Sequence, residues 1–301
     1  MMRFILVLAL AASACAQPTK PSVLPDPGAS RADSVIERSP RPSSGETADG
    51  TPAEATRPTV VTERAVALGE TRVTIRVSER LGPDAAQGAV GLDALNLHDN
   101  EGTSVEAVLD VVGTRGGRVV ELVHSGERNL SFRLSGDVFI ADPNRIFTDA
   151  GRRRTLAALS RDVPAARAAL EAFADTVLAV YTERRVGVVV TLHNNTPDNY
   201  SAASYAQGGE YARDAEAVTI HPGSDPDDFF FVTERALYDA LARQGFNAVL
   251  QDNARATDDG SLSVWAAQRG IPYVNVEAEH GHRIQQAGMI DALAQVLGTR
   301  R

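Results

Sequence analysis

Val186-Gly187-Val188-Val189-Val190-Thr191-Leu192-His193 is a near-continuous apolar run that ends on a histidine. A short run rich in β-branched residues is the pattern of a strand buried on both faces of a sheet. That reading puts His193 in a loop at the carboxyl end of a central strand. Outward from it, strands are expected at 71–77, 89–97, 118–123, 130–134, 138–141, 217–220, 229–232, 248–251 and 273–276. Helices are expected from Thr103 to about Val112, at 163–184, near 234–244, at 261–269 and at 283–297. Thr103 with Glu106 three residues on reads as a capping box for the first of these. Alternation of this kind predicts an α/β fold in one domain, a mixed, mainly parallel central sheet flanked by helices. In open sheets of this class ligands bind at the carboxyl ends of strands. His98, His193 and Glu277 all fall just past such ends.

Leu97-His98-Asp99-Asn100-Glu101 ends the strand at 89–97 and opens a helix. A histidine and a glutamate at this spacing can face one metal ion. Hydrolytic zinc sites use three protein ligands and leave a fourth position to water. His98 and Glu101 supply two candidates, and His193 is the natural third. Each also has an ordinary reading, as loop histidine or solvated carboxylate; their common placement after separate strands favours the metal.

The chain has 301 residues, 43% of them hydrophobic, enough for a substantial core. A net charge of −9 without any basic cluster argues against nucleic-acid binding. Cys15 is the single cysteine, so no internal disulfide forms. Arg3, a brief apolar core and small residues before Cys15 read as a secretory signal over 1–14, too short to span a bilayer. The small-residue site followed by Cys15 resembles a bacterial lipoprotein signal, although Ala12 stands where that signal usually has leucine. The expectation is an exported protein at the cell envelope, lipid-anchored through Cys15. Residues 15–62 are rich in Pro, Ser, Thr, Ala and charge, the composition of a flexible tether. Structure is expected to begin near Glu70, within a domain at 63–301.

His98-Asp99-Asn100-Glu101, Asp142-Pro143-Asn144-Arg145-Ile146-Phe147, Leu192-His193-Asn194-Asn195 and Val276-Glu277 occur in this order. The ordered set resembles the succinylglutamate desuccinylase and aspartoacylase family, within the zinc carboxypeptidase superfamily. The resemblance spans roughly 89–279. It implies a carboxypeptidase-like fold and a zinc ion held by His98, Glu101 and His193. It further implies that Asn144 and Arg145 grip a substrate carboxylate, a task suited to the planar guanidinium fork. Glu277 is similar to the family's general base, with Glu279 as the alternative. A second arginine, Arg128 or Arg133, would help stabilise an oxyanion. Family members usually carry glycine after the first histidine, where this chain has Asp99. His280-Gly281-His282 reads as a loop pair without a second metal. The expected activity is zinc-dependent hydrolysis of an amide bond next to a carboxylate, in a small peptide or a muropeptide. The alternatives are an N-acyl amino acid deacylase and a non-catalytic metal-bearing binding lipoprotein.

Overall fold

The structure, a computed structural model, describes residues 58–83, 91–184 and 186–299. The expected export signal, Cys15 and most of the tether lie outside the described residues. Among the described residues, strand structure starts at Val60, ahead of the expected Glu70. Val60–Leu68 is a strand, β1, paired antiparallel to Thr71–Arg80, β2. Its side chains are exposed along most of its length, so it lacks the apolar alternation that marks β2.

The chain continues through β3 (Leu92–Asn96), α1 (Gly102–Arg115), β4 (Gly117–Val123) and a hairpin of β5 (Leu130–Leu134) and β6 (Asp137–Ala141). Next come α2 (Asp149–Leu159), α3 (Pro164–Tyr181), β7 (Val189–Asn195), β8 (Ala215–Thr219) and β9 (Phe229–Val232). The chain then runs through α4 (Arg235–Arg243), β10 (Ala248–Gln251), α5 (Leu262–Ala267), β11 (Tyr273–Glu279) and α6 (Arg283–Gly298). Among the described residues, nine strands form one sheet in the order β1-β2-β4-β3-β7-β11-β9-β10-β8. The four middle strands β4, β3, β7 and β11 run parallel, and β9–β10 is a further parallel pair. Antiparallel pairs at β1–β2, β2–β4, β11–β9 and β10–β8 flank them, so the sheet is mixed, as expected.

The two faces of the sheet carry separate cores. Val190, Leu192, Val274 and Val276 pack with α1, α4 and α6 on one face. Val189 and Tyr273 pack with α3 and the phenylalanines Phe132, Phe139 and Phe173 on the other. Because side chains alternate along a strand, His193 and Glu277 share the face of Val189 and Tyr273. Helix α3 starts at Pro164, which needs no intrahelical donor there. It buries Leu170, Phe173, Ala174, Val177 and Tyr181, at the spacing of one helical stripe. Each large side chain of this kind contributes roughly 1.5–3 kcal/mol. Among the described residues, no helix is long and apolar enough to cross a membrane.

Three sequence expectations need correction. His193 and Glu277 lie inside β7 and β11, not in loops past them. Thr103 is not an N-cap: α1 begins at Gly102 after Glu101, and the Thr103 hydroxyl accepts from the Gly281 amide at 3.1 Å. The helix expected at 163–184 ends at Tyr181, while α2, unanticipated, is capped by Thr148 accepting from the Gly151 amide.

Candidate metal centre

β3 and β7 are neighbours, so the turn after β3 stands beside the end of β7. That turn carries His98 and Glu101, and β7 carries His193. The ligand atoms of these three side chains lie within 4.8 Å of one another, and all three residues are buried. The His98 and His193 rings are 5.0 Å apart.

Neighbouring groups orient each candidate ligand. His98 Nε2 meets Asp142 Oδ1 at 2.9 Å, where the ring donates its proton. Nδ1 is then left with its lone pair, 2.9 Å from Glu101 Oε1 and without a hydrogen-bond partner. Glu101 Oε2 is likewise buried with no partner. His193 Nδ1 lies 2.7 Å from Asn275 Oδ1, and its Nε2 faces Asn144 Nδ2 at 3.3 Å. A carboxylate or amide on one ring nitrogen fixes the tautomer that offers the other nitrogen to a cation. Two nitrogens and a carboxylate, with buried orphan atoms turned to a common point, fit a divalent transition metal such as zinc.

The local electrostatics follow from the dry surroundings. Burial works against charge on His98, but Glu101 and Asp142 outweigh it and raise its pKa. Burial dominates at His193 and lowers it to about 4. Glu101 is pulled below its usual value, against its own burial, by the two imidazoles. Asp142 is held well below the carboxylate range in the same way, chiefly by His98.

Glu277 and His193 are register partners on adjacent parallel strands. The Asn275 amide joins them, accepting from His193 and donating to Glu277 Oε2 at 2.9 Å. Burial, reinforced by the Glu101 charge, pushes the Glu277 carboxyl up to about 8. Glu279 belongs elsewhere. Its carboxylate gathers with Asp225 and His282 in a second, more exposed group, also within 4.8 Å. There His282 Nδ1 rests on Asp228 at 3.0 Å.

The turn Pro143–Arg145 hangs on Asp142, whose Oδ1 also accepts from the Asn144 amide at 2.8 Å. The Asn144 side chain bridges His193 and the Leu262 amide. Arg145 lies 3.4 Å from Asp259, both about a third exposed. Of the two further arginines, Arg128 reaches the cluster: Nη1 is 2.6 Å from Glu101 Oε1 and Nη2 3.7 Å from Asp142 Oδ2. Arg133 is turned instead to the Gly136 carbonyl in the β5–β6 hairpin.

Several contributors gave no sequence signal. Gln286 of α6, fully buried, donates to the His193 and Val276 carbonyls and accepts from Asn194, tying β7 to β11 behind the site. Asn194 also takes the Ser104 amide, a cap for α1 supplied by another element. Tyr200 and Tyr205, between β7 and β8, are half-buried and pack inward. Their hydroxyls meet at 2.6 Å, and both rings pack near Phe229.

No protein-family profile and no curated protein matches the chain. Solved structures with some likeness include the murein-tripeptide amidase MpaA from Escherichia coli O157, at 15% identity and TM-score 0.43. That alignment covers 81% of this chain and 94% of the other. A candidate metallopeptidase from Shewanella amazonensis SB2B aligns at 15% identity and TM-score 0.38, over 80% of this chain and 86% of that one. The similarities are low, and the chemistry below is drawn from this chain's own side chains.

Proposed function

We propose that the chain is a zinc-dependent hydrolase of an amide bond next to a carboxylate. The observation that carries the reading is the buried convergence of His98, Glu101 and His193, with Glu277 in register beside His193. Zinc held by these three residues supplies Lewis-acid polarisation of a carbonyl and of water. Glu277, in register beside His193, is the proton carrier: the metal-free chain holds its carboxyl up at about 8, and a cation on the neighbouring ligands would favour the carboxylate, which could take a proton from water and pass it to the leaving nitrogen. Arg128, with its guanidinium beside Glu101, is placed to steady negative charge developing on the substrate oxygen. Arg145 and Asn144 take the substrate carboxylate, in competition with the Asp259 partner that Arg145 has in this structure. The half-buried Tyr200–Tyr205 pair gives the neighbouring wall an aromatic character. The leader read around Cys15 would put the domain at the cell envelope, where small peptides and muropeptides are at hand.

The test incubates the protein with small peptides, muropeptides and N-acyl amino acids, with added zinc or with chelator. The expected result is cleavage that needs metal and falls roughly 10²- to 10⁴-fold in Glu277→Gln at unchanged metal content. Turnover of the N-acyl amino acids alone would favour a deacylase. Bound metal without turnover on any arm would leave a metal-bearing binding protein, and cleavage that survives the chelator would remove the hydrolase reading.

A further inference from the structure

The segment joining β4 to β5, 124–129, carries Arg128 and is largely exposed. Among the described residues, its backbone has one side-chain tether. Asp99 Oδ2 accepts from the His124 amide at 2.7 Å and from the Gly126 amide at 2.7 Å. No other hydrogen bond among the described residues ties the backbone of 124–129 to a distant part of the chain. Gly126 has φ +74, a left-handed conformation that closes the turn around the carboxylate. The far end of the same segment reaches the cluster through Arg128, on Glu101 and Asp142. Asp99 itself stands between His98 and Glu101, and it is not among the groups that converge. One turn thus holds two candidate metal ligands and, between them, the clamp on the loop that delivers the arginine.

We propose that Asp99 is a positioning residue that fixes Arg128 over the candidate metal centre by clamping the His124 and Gly126 amides. A charged carboxylate accepting two short bonds is a strong, directional anchor. Without it, a solvent-exposed loop holding a long side chain by its tip samples many placements, and a shift of about 1 Å in a catalytic group can cost on the order of 10²-fold in rate. The inference rests on the proposed hydrolase activity for its kinetic consequence and on the hydrogen bonds alone for its structural one.

Asp99→Ala, Arg128→Ala and the double variant are compared with wild type in metal content, kcat, KM and amide hydrogen exchange of the metal-free protein. Asp99→Asn, which keeps one acceptor oxygen and the side-chain size, guards against misfolding of the alanine variant. The expected result is a fall of about 10- to 100-fold in kcat for Asp99→Ala, with little change in KM or bound metal. The double variant should then be no slower than Arg128→Ala alone, since the clamp acts through that arginine. Exchange at 124–126 should quicken in Asp99→Ala and less in Asp99→Asn. Wild-type kcat in Asp99→Ala, or penalties that multiply in the double variant, would overturn the proposal. Should wild type hydrolyse nothing, the functional reading falls by itself, and unchanged exchange at 124–126 would still overturn the clamp.

Discussion

Burial decides the charge of His193 and Glu277, while charged neighbours outweigh burial at His98 and Glu101. Glu277 is the clearest case, because its carboxyl is pushed from 4.5 to about 8 by burial and then by the Glu101 charge. Its value in the folded chain lies above the unfolded one, so the protonated form favours the fold. That contribution is whole below about 4.5 and is lost as pH rises through about 8. Metal-free protein should therefore lose stability over this window, and Glu277→Gln should flatten the loss. Denaturant titrations at stepped pH check this; equal slopes in the two proteins would show that Glu277 is not held neutral. The convergence of the candidate ligands His98, Glu101 and His193 was legible because spacing and strand ends pointed to them. The hold of Asp142 on His98 and of Asn275 on His193 was not, and Arg128 could not be told from Arg133, since these depend on register and loop paths that bring residues together over long separations. Asp99 was legible only as an oddity, and its two backbone bonds give it a purpose the sequence does not display.

β7 shows why element boundaries escaped the sequence. The apolar run suggested a strand ending at Leu192, yet the strand begins at Val189 and continues through His193-Asn194-Asn195, all buried. Asparagine is poor strand material in general, but here Asn194 and Asn195 have partners on α6, β11 and the loop before β9. Partners of that kind are invisible before the sheet is assembled. β1 was missed because its apolar residues, Val60 and Val61 among them exposed, do not alternate with polar ones, and α2 because little of its surface is apolar. The turn carrying Asn144 and Arg145 depends on a close approach of two backbones. A Cβ on Gly260, φ +87, would stand 2.4 Å from the Arg145 carbonyl oxygen and 2.4 Å from Gly151 Cα. Gly260→Ala should therefore destabilise the fold by about 2 kcal/mol or more. At roughly 2–4 °C per kcal/mol for a chain of this size, calorimetry should register a fall of several degrees in Tm. An unchanged Tm would mean that the two segments do not touch.

Across the whole molecule, the site sits where the sheet is most completely covered. β7 and β11 occupy its middle, with a core on each face, and antiparallel pairs extend the sheet outward on both sides. The expected α/β architecture is present, a mixed sheet whose parallel middle strands are flanked by antiparallel pairs. A buried position lets two imidazoles and two carboxyls influence one another strongly, and burial of unpaired lone pairs is costly unless a cation meets them. Crystals soaked in zinc and measured at its absorption edge examine this most directly. The account predicts an anomalous peak bonded to His98, Glu101 and His193 at about 2.0–2.2 Å. A map with no peak there, or with zinc only at the group formed by Asp225, Glu279 and His282, would contradict it.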